Sequence, residues 1–88
     1  MAVKLLDFWA VWCTPCRMMD PILEEIEKEF EGRVEIVKIN VDEDSAQSQK
    51  YGVMSIPTYI VLKDEKEVAR RVGFTQKADM VKLLTNIP

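Results

Sequence analysis

Two cysteines, Cys13 and Cys16, stand three residues apart in the run Trp12-Cys13-Thr14-Pro15-Cys16, at the point where an apolar stretch gives way to a helical pattern. Residues three apart on a first helical turn are near neighbours, so the two thiols can pass between a dithiol and a disulfide. A cysteine at a helix N-terminus meets unpaired backbone N–H groups and the positive end of the dipole, which favour thiolate over thiol. Cys13 is therefore the expected nucleophile and Cys16 the resolving thiol. Pro15 has its φ already set for the first turn and lacks an N–H, so it stiffens the loop without wasting a donor. Free cysteines are often just small buried hydrophobes. A pair at a strand-to-helix junction inside a βαβ unit points instead to redox chemistry.

Other residue types narrow the chemistry further. The chain has no histidine, which removes triads and His-ligated metals from consideration. Two cysteines cannot fill a tetrahedral zinc site alone, and their tiny loop is no stabilising framework, so no metal is expected. The chain is 48% hydrophobic and 31% charged, with 12 basic and 15 acidic residues interspersed. That balance fits one globular domain over residues 1–88 and gives no basic stripe for nucleic acid or anionic membranes. No apolar run approaches a membrane span, and no basic leader with a cleavage site opens the chain, so a cytoplasmic protein is expected.

The elements that must position the pair follow from periodicity. Ala2 to Ala10 is apolar on both alternating faces, as a central strand covered on both sides would be. From Thr14 to Glu31, Met18, Ile22, Ile26 and Phe30 recur at helical spacing, with Glu24, Glu25, Glu27, Lys28 and Glu29 on a solvated face. Pro21 should bend this helix and Gly32 should end it. Val34 to Val41 reads as a second strand, parallel to the first because a helix connects them. Asp44 can cap a short helix to Tyr51, with Gln47 reciprocating and Gly52 as a left-handed stop. Thr58 to Lys63 and Glu67 to Val72 form a hairpin around Asp64-Glu65-Lys66. Thr75 can cap a last helix whose stripe is Met80, Leu83, Leu84 and Ile87. The order β-α-β-α-β-β-α predicts an α/β fold, a mixed four-stranded sheet flanked by three helices.

Asp7-Phe8-Trp9-Ala10 followed by Trp12-Cys13-Thr14-Pro15-Cys16-Arg17 resembles the active-site stretch of the thioredoxin family. The likeness extends through Pro21, Lys38-Ile39-Asn40-Val41-Asp42, Tyr51-Gly52-Val53 and Ser55-Ile56-Pro57-Thr58, nearly the whole chain. It implies a thioredoxin-like fold and a thiol-disulfide oxidoreductase that reduces protein disulfides. It further implies a cis Pro57 facing the cysteines and an Ile56 backbone that pairs with an extended substrate strand. Trp12, Thr14, Pro15, Ile56, Pro57, Gly73 and Phe74 form the implied docking surface. The expected partners are disulfide-containing proteins and a thioredoxin reductase or small thiol, acting on a monomer with no cofactor besides the Cys13-Cys16 disulfide. A glutaredoxin-like or client-specific reductase is the alternative, and an iron-sulfur or protein-binding module a more distant one. Thr14 departs from the glycine usual between the cysteines, which bears on redox poise. Val11 replaces a commonly polar residue. The chain starts almost at the central strand, which predicts a minimal fold with an exposed sheet edge.

Asp7 is the only charge within Leu5 to Val11, on a strand that looks buried. The pattern alone leaves two roles open, a structural carboxylate or a base whose pKa is raised by desolvation. The resemblance favours the second, in which Asp7 accepts the proton of Cys16 and Lys38 tempers its pKa. The pattern alone also allows a trans Pro57 at a strand start. Trp9 is expected to pack against the site and Trp12 to be exposed. Met18 and Met19 are expected as core and rim. Lys4, Arg70 and Arg71 are expected as surface charge.

Overall fold

A computed structural model describes residues 3–87, and Met1, Ala2 and Pro88 lie outside the described residues. β1 (Val3–Trp9) is the apolar run, so the Ala2 end of the expected strand is not described. α1 (Thr14–Met18) and α2 (Asp20–Glu29) follow, then β2 (Val34–Asn40) and α3 (Ser45–Lys50). β3 (Thr58–Lys63), β4 (Lys66–Val72) and α4 (Lys77–Thr85) complete the order. The strands lie side by side as β2-β1-β3-β4. β1 runs parallel to β2 and antiparallel to β3, and β3 runs antiparallel to β4. The mixed sheet of the α/β expectation is present.

Alternation along the central strands sorts the core into two layers. Leu5, Tyr59 and Val61 point to one face, where Met19, Leu23 and Ile26 of the α1–α2 segment and Met80 and Leu84 of α4 cover them. Leu6, Phe8, Ile60 and Leu62 point to the other, against Ile39 and the Tyr51 to Val53 stretch after α3. Each fully buried side chain of this size is worth roughly 1.5–3 kcal/mol of transfer free energy. The interior strands are therefore held by burial on both sides, and the residues they carry to their C-terminal ends are held with them.

Several local expectations are corrected by the packing. The helix begun at Thr14 does not simply bend. It breaks at Met19, because Pro21 has no N–H to give Arg17, and the Met19 N–H bonds Cys16 O at 3.1 Å in a tighter turn. The break changes the buried stripe: Met19 is fully buried and Met18 is exposed, the reverse of the expected pairing. The helix ends at Phe30 before Gly32, which instead takes φ 80° in the following turn. Asp44 does cap α3, accepting from Gln47 N–H at 3.2 Å, but the Asp44 N–H goes to Asn40 O and not to the Gln47 side chain. Gly52 takes φ 63° just past the helix, as a left-handed stop requires.

The hairpin tip is tighter than three residues. Asp64 and Glu65 both take positive φ, the geometry of a two-residue turn, and Lys66 already pairs with Lys63. Thr75 is not the cap of α4. Its hydroxyl donates to Gly73 O at 3.0 Å and its N–H to Met19 Sδ at 3.4 Å, which leaves Gln76 as an N-cap without a side-chain bond.

Candidate active site

The end of β1 delivers the cysteines. The Cys13 N–H bonds Ala10 O at 3.2 Å, which turns the chain sharply out of the strand and into α1. Cys13 is the N-cap of α1, with extended φ and ψ of −87° and 103°, and Pro15 sits in the first turn. The two residues form a disulfide with Cα atoms 5.3 Å apart, the state in which the protein is seen. The Cys16 N–H points to Cys13 Sγ at 3.2 Å. Each cysteine is 4% exposed, so the pair opens to solvent only at its surface.

The neighbours come from four different segments. Ala10 and both cysteines form one small cluster, against which Trp9, Val41 and Ile56 pack. The Ile56–Pro57 peptide is cis, as the resemblance implied, and Pro57 is fully buried. Pro57 O accepts from Gly73 N–H at 2.8 Å, which fastens the turn after β4 beside the loop that carries Ile56. Thr58 Oγ1 donates to Ser55 O at 2.6 Å and closes that loop from within. Gly73 takes φ 93°, a conformation that glycine adopts without strain.

Around this buried pair the surface is apolar. Trp12 is 65% exposed, and Val11, Phe74 and Met54 are exposed as well. A groove of about 400 Å³ lies beside the cysteine cluster, lined by Trp12, Val41, Val53, Met54 and Ile56. Monomeric proteins seldom leave such apolar side chains grouped in water without a binding role. Trp9 packs against the site and Trp12 faces solvent, both as expected. Thr14 and Pro15 are exposed beside the pair, whereas Pro57 contributes through its neighbour Ile56, since its own ring is buried.

Asp7 lies on the α1–α2 face of the sheet and is 3% exposed. Its strand partners are Lys38 on β2 and Tyr59 on β3. Burial pushes its carboxyl pKa from 3.8 up to about 6; the positive charge of Lys38 works against that rise and Asp20 adds to it. Lys38 Nζ is 3.9 Å from Asp20 Oδ1, so the lysine is shared between the two carboxylates. A buried carboxylic acid whose pKa is raised toward neutrality, on the strand that leads into the cysteine pair, is equipped to exchange protons with a thiol.

The family profile described as Thioredoxin matches residues 2–86, nearly the full chain. The chain belongs to the thioredoxin family. It is similar to the thioredoxin of Staphylococcus aureus, with 49% identity over 82 residues that cover 93% of this chain and 79% of the relative. Among solved structures it resembles a mutant thioredoxin from Halobacterium salinarum NRC-1, with a TM-score of 0.89 at 33% identity, covering 97% of this chain and 74% of that one. It also resembles a malarial protein, with a TM-score of 0.92 at 29% identity over 99% and 98% of the two chains. The protein is a thiol-disulfide oxidoreductase whose redox group is the Cys13-Cys16 disulfide. Thioredoxins act on disulfide-bearing proteins and are themselves reduced by thioredoxin reductase.

One site residue escaped the reading of the sequence. Asp42 accepts from Trp12 Nε1 at 2.8 Å and so fixes the exposed indole next to the disulfide. Its only sequence signal was its place directly after Lys38-Ile39-Asn40-Val41, and nothing in that run says that it meets a side chain 30 residues earlier. Among the described residues, no group of three or more His, Cys, Asp or Glu side chains could hold a metal ion, and no helix is long and apolar enough to cross a membrane.

Proposed function

We propose that this thioredoxin reduces protein disulfides by nucleophilic attack through Cys13. In the dithiol state the Cys16 N–H that now points to Cys13 Sγ stabilises a Cys13 thiolate, and this contact is the observation that carries the assignment. The Cys13 thiolate attacks one sulfur of the substrate disulfide. The new bond joins Cys13 to that sulfur, and the other substrate sulfur leaves as a thiolate. Asp7 then takes the proton of Cys16, and the Cys16 thiolate attacks Cys13 Sγ. The mixed disulfide breaks, the second substrate thiolate departs and is protonated, and two electrons have passed to the substrate. Lys38 keeps Asp7 from becoming too weak an acid, since its charge lowers the carboxyl pKa that burial raises.

Substrate docking is assigned to the apolar surface around the pair. An extended substrate segment pairs with the backbone of Ile56, while Trp12, Thr14, Pro15, Gly73 and Phe74 border it and Pro57 holds the loop in shape. Aromatic and aliphatic groups around a nearly buried disulfide admit a protein segment by apolar contact, with backbone bonds giving direction. The electron donor is a thioredoxin reductase or a small thiol. The chain works as one thioredoxin-like domain, as a monomer, in the cytoplasm.

The test is reduction of insulin with a dithiol as electron source, comparing the unaltered protein with Cys13→Ser and Cys16→Ser. Acceleration by the unaltered chain alone, with Cys16→Ser accumulating a covalent adduct through Cys13, is the expected result. An adduct formed by Cys13→Ser through Cys16 would reverse the two roles. Turnover sustained by glutathione and by no thioredoxin reductase would instead favour a glutaredoxin-like donor.

A further inference from the structure

The mechanism uses Asp7 but leaves its strand partner unexplained. Tyr59 stands directly opposite Asp7 in the antiparallel β1–β3 pair, and opposed residues of such a pair project from the same face with Cβ atoms roughly 4.5–5.5 Å apart. Both side chains are sealed from solvent. Asp7 Oδ1 and Tyr59 Oη are each buried without a hydrogen-bond partner. Buried polar atoms are almost always paired in folded proteins, directly or through an internal water. Two such atoms on facing positions of one sheet face, one an acceptor and the other a donor, are complementary.

The remaining groups on this face agree with that geometry. Lys38 flanks Asp7 from β2 and leans to Asp20 at the start of α2, while the charge on α1 is the exposed Arg17. Burial, with the negative charges of Asp7 and Asp20 behind it, holds the Tyr59 phenol well above its ordinary range. The phenol therefore stays protonated, a permanent donor, at every pH at which the protein works. The negative charge of Asp20 raises the proton affinity of Asp7 and of Tyr59 alike. A tyrosine projects further from a sheet than an aspartate, so the two polar ends stand at different heights on that face, and an internal water is the natural link between them.

We propose that Tyr59 is a positioning residue for thiol-disulfide exchange: its hydroxyl donates, through one internal water held between Oη and Asp7 Oδ1, to the Asp7 carboxylate and sets the proton affinity of that base. The proposal rests on the assignment of Asp7 as proton acceptor for Cys16. No covalent step is added to the reaction. Tyr59 stabilises the charged form of Asp7, so its hydroxyl acts together with Lys38 and against burial.

The experiment compares Tyr59→Phe with the unaltered full chain, with aspartate carboxyl carbons labelled and followed by NMR across a pH titration. Loss of a donor to the charged form raises the Asp7 pKa by about one unit. The Cys16 resolution step, timed by rapid mixing, then slows about fivefold near pH 6 and hardly at all near pH 8, with KM for the protein substrate unchanged. Tyr59→Leu, which removes the ring too, gives an Asp7 shift in the same direction. An Asp7 titration that stays within about 0.2 unit of the unaltered protein, or moves down, overturns the proposal. So does a rate loss equal at all pH values, the mark of a merely structural role. If Asp7→Asn leaves the resolution step untouched, the assignment of Asp7 itself has failed, and the NMR titration still decides whether Tyr59 and Asp7 are coupled.

Discussion

Replacing Asp7 with Asn tests the electrostatics of the site through stability, without reference to turnover. In the oxidised protein the Asp7 pKa rises from 3.8 to about 6, with burial as the main cause. The sign follows from proton binding: between those two values the folded protein holds a proton that the unfolded chain has released, so stability falls as pH rises through that window. Below it the group costs nothing, and above about pH 6 the loss is complete. At about 1.36 kcal/mol per unit, the shift from 3.8 to about 6 corresponds to about 3 kcal/mol. Asn cannot ionise, so Asp7→Asn gains about 3 kcal/mol over the unaltered protein between acid and mildly alkaline pH. Urea unfolding of both oxidised proteins near pH 3 and near pH 8 measures this gain as a double difference, in which all other titrating groups cancel. A difference between the two proteins that is the same at both pH values would refute the claim that burial of the Asp7 charge outweighs its compensation.

Other expectations are more local. Removing the Lys38 charge with Lys38→Met moves the Asp7 pKa further up, because Lys38 is the group that lowers it; an NMR titration that shows no rise or a fall would contradict the pairing across β1 and β2. Asp42→Ala frees the Trp12 indole and lowers kcat/KM for insulin reduction about two- to tenfold, the worth of one partly exposed hydrogen bond to a charged acceptor, with a change in tryptophan fluorescence as the direct readout. Met80→Ala empties a fully buried position between α4 and the sheet and costs about 2–5 kcal/mol in urea unfolding. Met18→Ala, on the exposed side of the helix break, changes stability by no more than about 0.5 kcal/mol, and an effect as large as that of Met80→Ala would mean that the stripe lies where the bare periodicity put it.

The strands and their order were legible because burial leaves its mark residue by residue. Apart from Asp7, Leu5 to Phe8 and Tyr59 to Leu62 are apolar on both alternations, and those are the strands covered on both faces. The cysteine pair was legible for a different reason: thiols at this spacing have few other uses, and the local hydrogen bonds that place Cys13 at a helix start span only a few residues. The family resemblance, and not the pattern, carried the cis Ile56–Pro57 bond, since an X-Pro dipeptide reads the same in either isomer.

What the chain order alone determined is thus local and chemical: the redox pair, the alternation that sorts side chains to two faces, and the single carboxylate on a buried strand. Long-range packing decided the rest. Met19 displaced Met18 from the core because Pro21 could not continue the hydrogen-bond ladder, and the resulting break put Met19 Sδ against the Thr75 N–H, 56 residues away. Thr75 lost its capping role to that same contact and to Gly73. The union of Trp12 with Asp42, of Pro57 with Gly73, and of Asp7 with Tyr59 joins residues from separate strands and loops. Hydrophobic periodicity is a property of neighbours along the chain, whereas the partner of a buried polar atom is set by strand register and layer packing, and those exist only once the whole sheet has closed.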